Sequence, residues 1–196
     1  MKWIFPLFLV LLISQTHAQE NSNPFDVQVS VTSIEGRFHI QASYAIPMNI
    51  CNAFAFITDY EEIKNIPGIL EAKIISRAGN KVRVYRLIEE QALYFPIEMK
   101  SVMEYIETPN RGLNFQQISG DMKSYKGNWR LTSDKGKTSF KYDAWMEPDS
   151  VIPSAVIEYF MKNSTRGRFE LMAQSCLLYT SPSPRDRTRS RMPSSA

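Results

Sequence analysis

Arg86, Tyr125, Tyr142 and Asp143 are the residues of this chain whose types and placement could carry chemistry. A guanidinium, two phenols and a carboxylate can orient a carbonyl or move a proton once an apolar surround has removed the water around them. Of the four, only Tyr125 and Tyr142 fall naturally on an apolar strand face, and a buried tyrosine commonly just satisfies its hydroxyl nearby. Arg83 and Arg86 must point to opposite faces of a strand, because side chains alternate with period 2. The alternation does not say which of them is inside. An arginine or aspartate held inside without a partner costs on the order of several kcal/mol, so either one there would mark a site.

Other reaction classes fail on inventory. The chain has two histidines, and His17 lies in a leader, which leaves His39. That residue stands opposite the Phe38 and Ile40 face of its strand and is read as solvent-facing. A catalytic triad or a zinc site needs partners that are missing. The eight glycines are scattered at turns and form no phosphate loop. Cys51, on a helix among Ile50, Ala53 and Phe54, is expected to pack as a small apolar residue. Neither a metal nor a cofactor is expected.

Both ends are set apart from the fold. Residues 1–18 read as an export signal: Lys2 supplies the positive start, Trp3 to Ile13 the apolar run, and Thr16-His17-Ala18 a small-residue cleavage site before Gln19. That run is short for a membrane span, which needs roughly 20 residues. The expected location is therefore secreted or periplasmic, after cleavage of the signal. Residues 176–196, beginning Cys-Leu-Leu-Tyr-Thr-Ser-Pro-Ser-Pro-Arg-Asp, have no apolar period; they resemble a sequencing adapter translated in frame, with a natural basic tail as the other reading. The chain carries 23 Lys and Arg against 20 Asp and Glu. Lys2 lies in the leader, and Arg185, Arg187, Arg189 and Arg191 lie with Asp186 in the tail, so the stretch between is nearly neutral. Nothing in it asks for nucleic acid.

Residues 19–175 suit one domain. Val27, Val29 and Val31, then Phe38, Ile40, Ala42, Tyr44 and Ile46, alternate with polar residues about Glu35-Gly36, which predicts a hairpin. Pro47 ends the strand and suits a helix start, and Ile50, Ala53, Phe54 and Ile57 recur at helical spacing. Asp59 with Glu62 predicts a second short helix, stopped by Pro67-Gly68. Six strand-like stretches follow: 69–77, 81–90, 94–107, 113–119, 123–132 and 138–147. From Ser154 a helix presents Val156, Ile157, Phe160 and Met161 on one side, and Phe169, Leu171 and Met172 would continue it.

The predicted class is α+β: a curved antiparallel sheet wrapped around a long C-terminal helix, with two short helices after the first strands. This order resembles the helix-grip fold of the SRPBCC/START-like superfamily, and more narrowly its bacterial polyketide cyclase/dehydrase and lipid-transport branch, which includes coenzyme-Q-binding members. The segments that carry the resemblance are Ala45-Ile46-Pro47, Ile57-Thr58-Asp59-Tyr60 with Ile66-Pro67-Gly68, and Tyr125-Lys126-Gly127-Asn128-Trp129-Arg130-Leu131. It spans about 25–175. It implies a hydrophobic ligand such as a lipid, an isoprenoid or quinone, or a polyketide-like molecule, with catalysis confined to a minority of members.

Ile97, Met99, Met103, Phe115, Tyr125, Trp129 and Tyr142 are expected to line the concave sheet, with Val156 and Phe160 as the roof. Flexible methionines suit an adaptable apolar pocket. Alternating aromatic strands read the same whether they surround a cavity or fill a core, so both remain open. The leading reading is an exported carrier or sensor of a hydrophobic molecule, with transient membrane contact and no catalytic residue. A cyclase or dehydratase working in the same cavity is the alternative, and a partner-binding module with a filled core is the third.

Overall fold

The computed structural model describes residues 23–62, 66, 68–92, 95–150 and 152–179. The leader, and the tail beyond Tyr179, lie outside the described residues. Two hairpin strands come first, β1 (Gln28–Ile34) and β2 (Arg37–Ile46), followed by the helix α1 (Ile50–Thr58). Six strands succeed them: β3 (Ile69–Ala78), β4 (Lys81–Ala92), β5 (Phe95–Thr108), β6 (Gly112–Gly120), β7 (Met122–Asp134) and β8 (Lys137–Pro148). The long helix α2 (Ser154–Tyr179) closes the order. Every pairing is antiparallel, in one sheet ordered β1-β2-β8-β7-β6-β5-β4-β3. Only the β2–β8 neighbours are distant in sequence, so the chain meanders from β3 to β8 and returns to the first hairpin.

The β1–β2 turn has Glu35 at φ 51 and Gly36 at φ 77, and the β7–β8 turn repeats this with Lys135 at 47 and Gly136 at 77. Two successive left-handed residues match the right-handed twist of the flanking strands. Alternation places Phe38, Ile40, Ala42, Tyr44 and Ile46 of β2 and Phe140, Tyr142 and Ala144 of β8 inside, all buried. Register shifts with extra residues in β3, β6 and β7 add local bends to the sheet.

Three local expectations need correction. Pro47 ends β2, but α1 begins later, capped by Asn49, whose side-chain oxygen accepts from Asn52 N–H at 2.8 Å. Cys51 is exposed: Ala53 is the buried residue of α1, and two steps of about 100° carry Cys51 to the far side of the helix. Leu171 is also exposed, at 41 %, because the buried stripe of α2 is Thr165, Phe169, Ala173 and Cys176. The second short helix falls largely outside the described residues; at its start the Glu62 N–H lies 3.4 Å from Asp59 Oδ1. The helix α2 runs past residue 175 to Tyr179, with Cys176 fully buried and its thiol 3.4 Å from the Met48 sulfur.

Candidate functional site

Strand pairing lays an aromatic wall across the concave face. Leu113 and Phe115 of β6 face Trp129 and Gly127 of β7, and Trp129 in turn faces Tyr142 of β8. Ring centroids link Phe115 to Tyr125 at 5.2 Å and to Tyr142 at 5.8 Å, and Trp129 to Tyr142 at 4.8 Å. Each such pair adds about 0.5–1.5 kcal/mol beyond its burial. From α2, Phe169 comes down onto Tyr142 and Trp129 at 5.3 and 5.9 Å. Phe169 is thus the roof over this part of the wall. Val156 and Phe160, expected in that role, are partly buried near the start of α2, where the Phe160 ring lies edge-on to Tyr159, 5.5 Å between centroids.

On β4 and β5 the inward-facing pairs form a ladder: Val82 with Tyr105, Val84 with Met103, Arg86 with Ser101, Ile88 with Met99, and Glu90 with Ile97. Its first rungs are sealed, with Val82, Val84 and Met103 all at 0 % exposure. Beyond Arg86 it opens: Ile88 and Met99 are partly buried and Ile97 is 37 % exposed. The filled-core reading describes the first stretch, and past Arg86 the same face is left partly accessible. At the open end Arg168 of α2 makes a bidentate pair with Glu90, strapping the helix to the strand.

Arg86 stands where sealed changes to open, so it is the inner member of the Arg83/Arg86 pair. Its Nε is enclosed without a hydrogen-bond partner, and its Nη1 donates to the Tyr105 hydroxyl at 3.3 Å. Burial opposes its charge, yet the surrounding Tyr105, Tyr125 and Tyr142 leave its pKa above the ordinary value. At neutral pH those phenols are dipoles, not counter-charges. Arg83 points outward and, with Lys81, pairs with Glu104.

The Tyr125 and Tyr142 hydroxyls are 2.5 Å apart. Burial raises both phenols, Tyr142 well above 10 with Tyr125 adding to the shift; Tyr125 rises less because Arg86 and Tyr142 oppose it. Neither phenol is a base near neutrality. The carboxylates at the ends of the wall are taken: Glu90 by Arg168, and Glu107 by Arg77 and the Tyr60 hydroxyl. The arrangement can hold and polarise an oxygen function, and the described carboxylates at its ends, Glu90 and Glu107, are held in ion pairs.

Asp143, the fourth candidate, lies on the convex face. There it accepts from Gln41 at 2.9 Å and lies 3.1 Å from His39 Nε2. Burial works to raise its pKa, but these two bonds outweigh it and hold the carboxyl below its usual range. His39 is on the outer face as expected, yet it is engaged there, stacked on Trp145 at 4.4 Å. A groove of about 720 Å³ runs along this face, lined largely by polar residues such as Gln41, Ser43, Asn128 and Lys141. Its lining does not suit an apolar guest, and the sheet separates it from the aromatic wall. Among the described residues no group of three His, Cys, Asp or Glu could hold a metal, and no helix is long and apolar enough to cross a membrane.

The sequence named seven residues of the sheet lining, and all sit on the inner face; it missed Arg86 as the inner arginine, Tyr105, and Phe169. The Phe169 signal was its place four residues from Thr165 and Ala173, which Arg166, Gly167 and Arg168 obscured.

Comparison with known proteins accords with this architecture. The family described as polyketide cyclase/dehydrase and lipid transport matches residues 46–170. No curated protein matches the chain. Among solved structures, TTHA0849 from Thermus thermophilus superposes with TM-score 0.63 at 15 % identity, over 73 % of this chain and 99 % of that one. The STAR-related lipid transfer protein from Xanthomonas axonopodis gives 0.61 at 11 %, over 76 % and 98 %. The Zhui aromatase/cyclase from Streptomyces gives 0.58 at 11 %, over 71 % and 93 %. At these identities the likeness is one of fold. With most of its strands and helix inside the matched region, this chain belongs to the polyketide cyclase/dehydrase and lipid-transport family.

Proposed function

We propose that this protein is an exported binder of a hydrophobic small molecule (a lipid, an isoprenoid or a polyketide-like compound), held between the concave sheet and α2. The observation that carries the reading is the β4–β5 ladder, which passes from fully sealed Val84 and Met103 to partly open Ile88, Met99 and Ile97 on one face. Apolar side chains left partly accessible beside a packed aromatic wall gain about 25 cal/mol per Å² when a guest covers them. The family adds support, since its description includes lipid transport. The cyclase alternative is weaker, because the tyrosines on the wall are raised by burial and the nearby carboxylates are already paired.

The test is extraction of the purified protein followed by mass spectrometry, with thermal shifts across a panel of fatty acids, fatty alcohols, quinones and sterols. A retained apolar molecule, or a shift with one class, is the expected result. Met99→Gln and Ile97→Gln should weaken binding while leaving the melting temperature nearly unchanged. Met103 is unsuited to this experiment: at 0 % exposure its replacement would unfold the sheet first. No bound molecule and no shift with any class would overturn the reading. Export predicts that N-terminal sequencing of the mature protein begins at Gln19.

A further inference from the structure

We infer that the ligand of this site carries a carboxylate, which Arg86 receives, while its apolar part lies along Ile88, Met99 and Ile97. This rests on the proposal that a hydrophobic molecule occupies the site, and it narrows the class.

Arg86 is a cation facing the interior with almost nothing to answer it. An arginine offers five N–H donors in a planar fork; one is used, on Tyr105, and the Nε donor is enclosed and unpartnered. Of the five carboxylates on these strands, Glu90 is committed to Arg168, Glu104 to Lys81 and Arg83, and Glu107 to Arg77, while Glu89 and Glu98 pair in register on the opposite face. Enclosing part of that charge, with the Nε donor unpartnered, is costly, and the partner that this geometry calls for comes from outside the chain. The residue keeps some accessible surface, and it borders the open end of the ladder, so an incoming group can reach it.

The shape of the donor set selects the head group. A planar carboxylate matches the guanidinium fork with two parallel hydrogen bonds. A phosphate brings more charge and a third oxygen, and the next cation toward the mouth, Arg168, is already bidentate to Glu90. A quinone, sterol or hydrocarbon would leave the Arg86 charge unanswered. Tyr125 and Tyr142 lie near Arg86 with their hydroxyls bonded to each other, which spends one O–H and leaves the other as a neutral donor for the same head.

The experiment uses the full chain and isothermal titration with oleate, oleyl alcohol and methyl oleate at pH 8, where the acid is ionised. Oleate should bind about 10- to 100-fold more tightly than the alcohol or ester, the ratio expected for hydrogen bonds to a charged group. In Arg86→Met that preference should vanish while the alcohol still binds. Should that variant fail to fold, Arg86→Lys, which keeps the charge and loses the fork, should cut the preference. Equal affinity of the native protein for acid and alcohol, or a full preference in a folded Arg86→Met, would overturn the carboxylate inference and leave the hydrophobic-ligand reading intact. Absence of binding by every probe, here and in the wider panel, would remove both.

Discussion

Tyr125 and Tyr142 touch through their hydroxyls although they are not register partners. Tyr125 lies opposite Met146, Tyr142 lies opposite Trp129, and the Gly127–Ala144 rung separates the two pairs. The phenols reach each other diagonally over that rung because it carries only a methyl group. Smallness at one rung thus creates the polar contact at the centre of an otherwise apolar wall.

Gly127→Ala should therefore be among the most damaging conservative changes in the sheet. A Cβ there would stand 2.3 Å from the Asp143 carbonyl oxygen and 2.7 Å from the Ala144 Cβ. Neither neighbour is the flexible end of a side chain, so β7 and β8 must move apart. The expected cost is about 1–3 kcal/mol, as for overpacking a tight core. Urea denaturation followed by circular dichroism measures it, and an unchanged midpoint would show that the strands tolerate separation.

Alkaline pH should destabilise the fold through its buried phenols. Burial raises Tyr44 and Tyr142 well above 10, and lifts Tyr60 and Tyr125 as well. A raised folded pKa gives stability that is fully present below the unfolded value near 10 and is lost as pH climbs from there toward the folded value. Phenolate absorbance should rise in two phases, the exposed tyrosines ionising near pH 10 and the buried set only as the protein unfolds. A single phase near 10 with the fold intact would contradict the burial of this wall.

The two thiols should differ sharply in reactivity. Cys51 is exposed, whereas Cys176 has no accessible surface and burial pushes its pKa up to about 12. A thiol-specific reagent at pH 8 should label one cysteine in the native protein and two in denaturant. Peptide mapping that finds Cys176 labelled first would show that the end of α2 does not dock against Met48.

The elements were legible where one face differed clearly from the other. In Thr138 to Glu147, Phe140, Tyr142, Ala144 and Met146 alternate with polar residues, and β8 follows that pattern. The stretch Val82-Arg83-Val84-Tyr85-Arg86-Leu87-Ile88 mixes apolar and cationic residues on both phases, so period alone could not choose the inner arginine. The choice is made across the strand pair: Arg83 meets Glu104, whereas Arg86 meets Ser101. Cys51 was misjudged because its sequence neighbours are apolar, while helical geometry puts the inward position at Ala53. Most of the sheet lining was readable by the same alternation. Its roof was not, because Phe169 lies among charged residues and only the docking of α2 on the first hairpin turns it inward.

The outermost strand β3 loses step with β4 twice within ten residues, between Ile69 and Glu71 and again between Ile74 and Ser76. Its free side therefore presents interrupted rows of amide and carbonyl groups, with Lys73 and Arg77 among them. A stray chain seeking to extend the sheet meets no long, even template to copy. The kinks that curl the grip around its contents also discourage fibril-like growth from its rim.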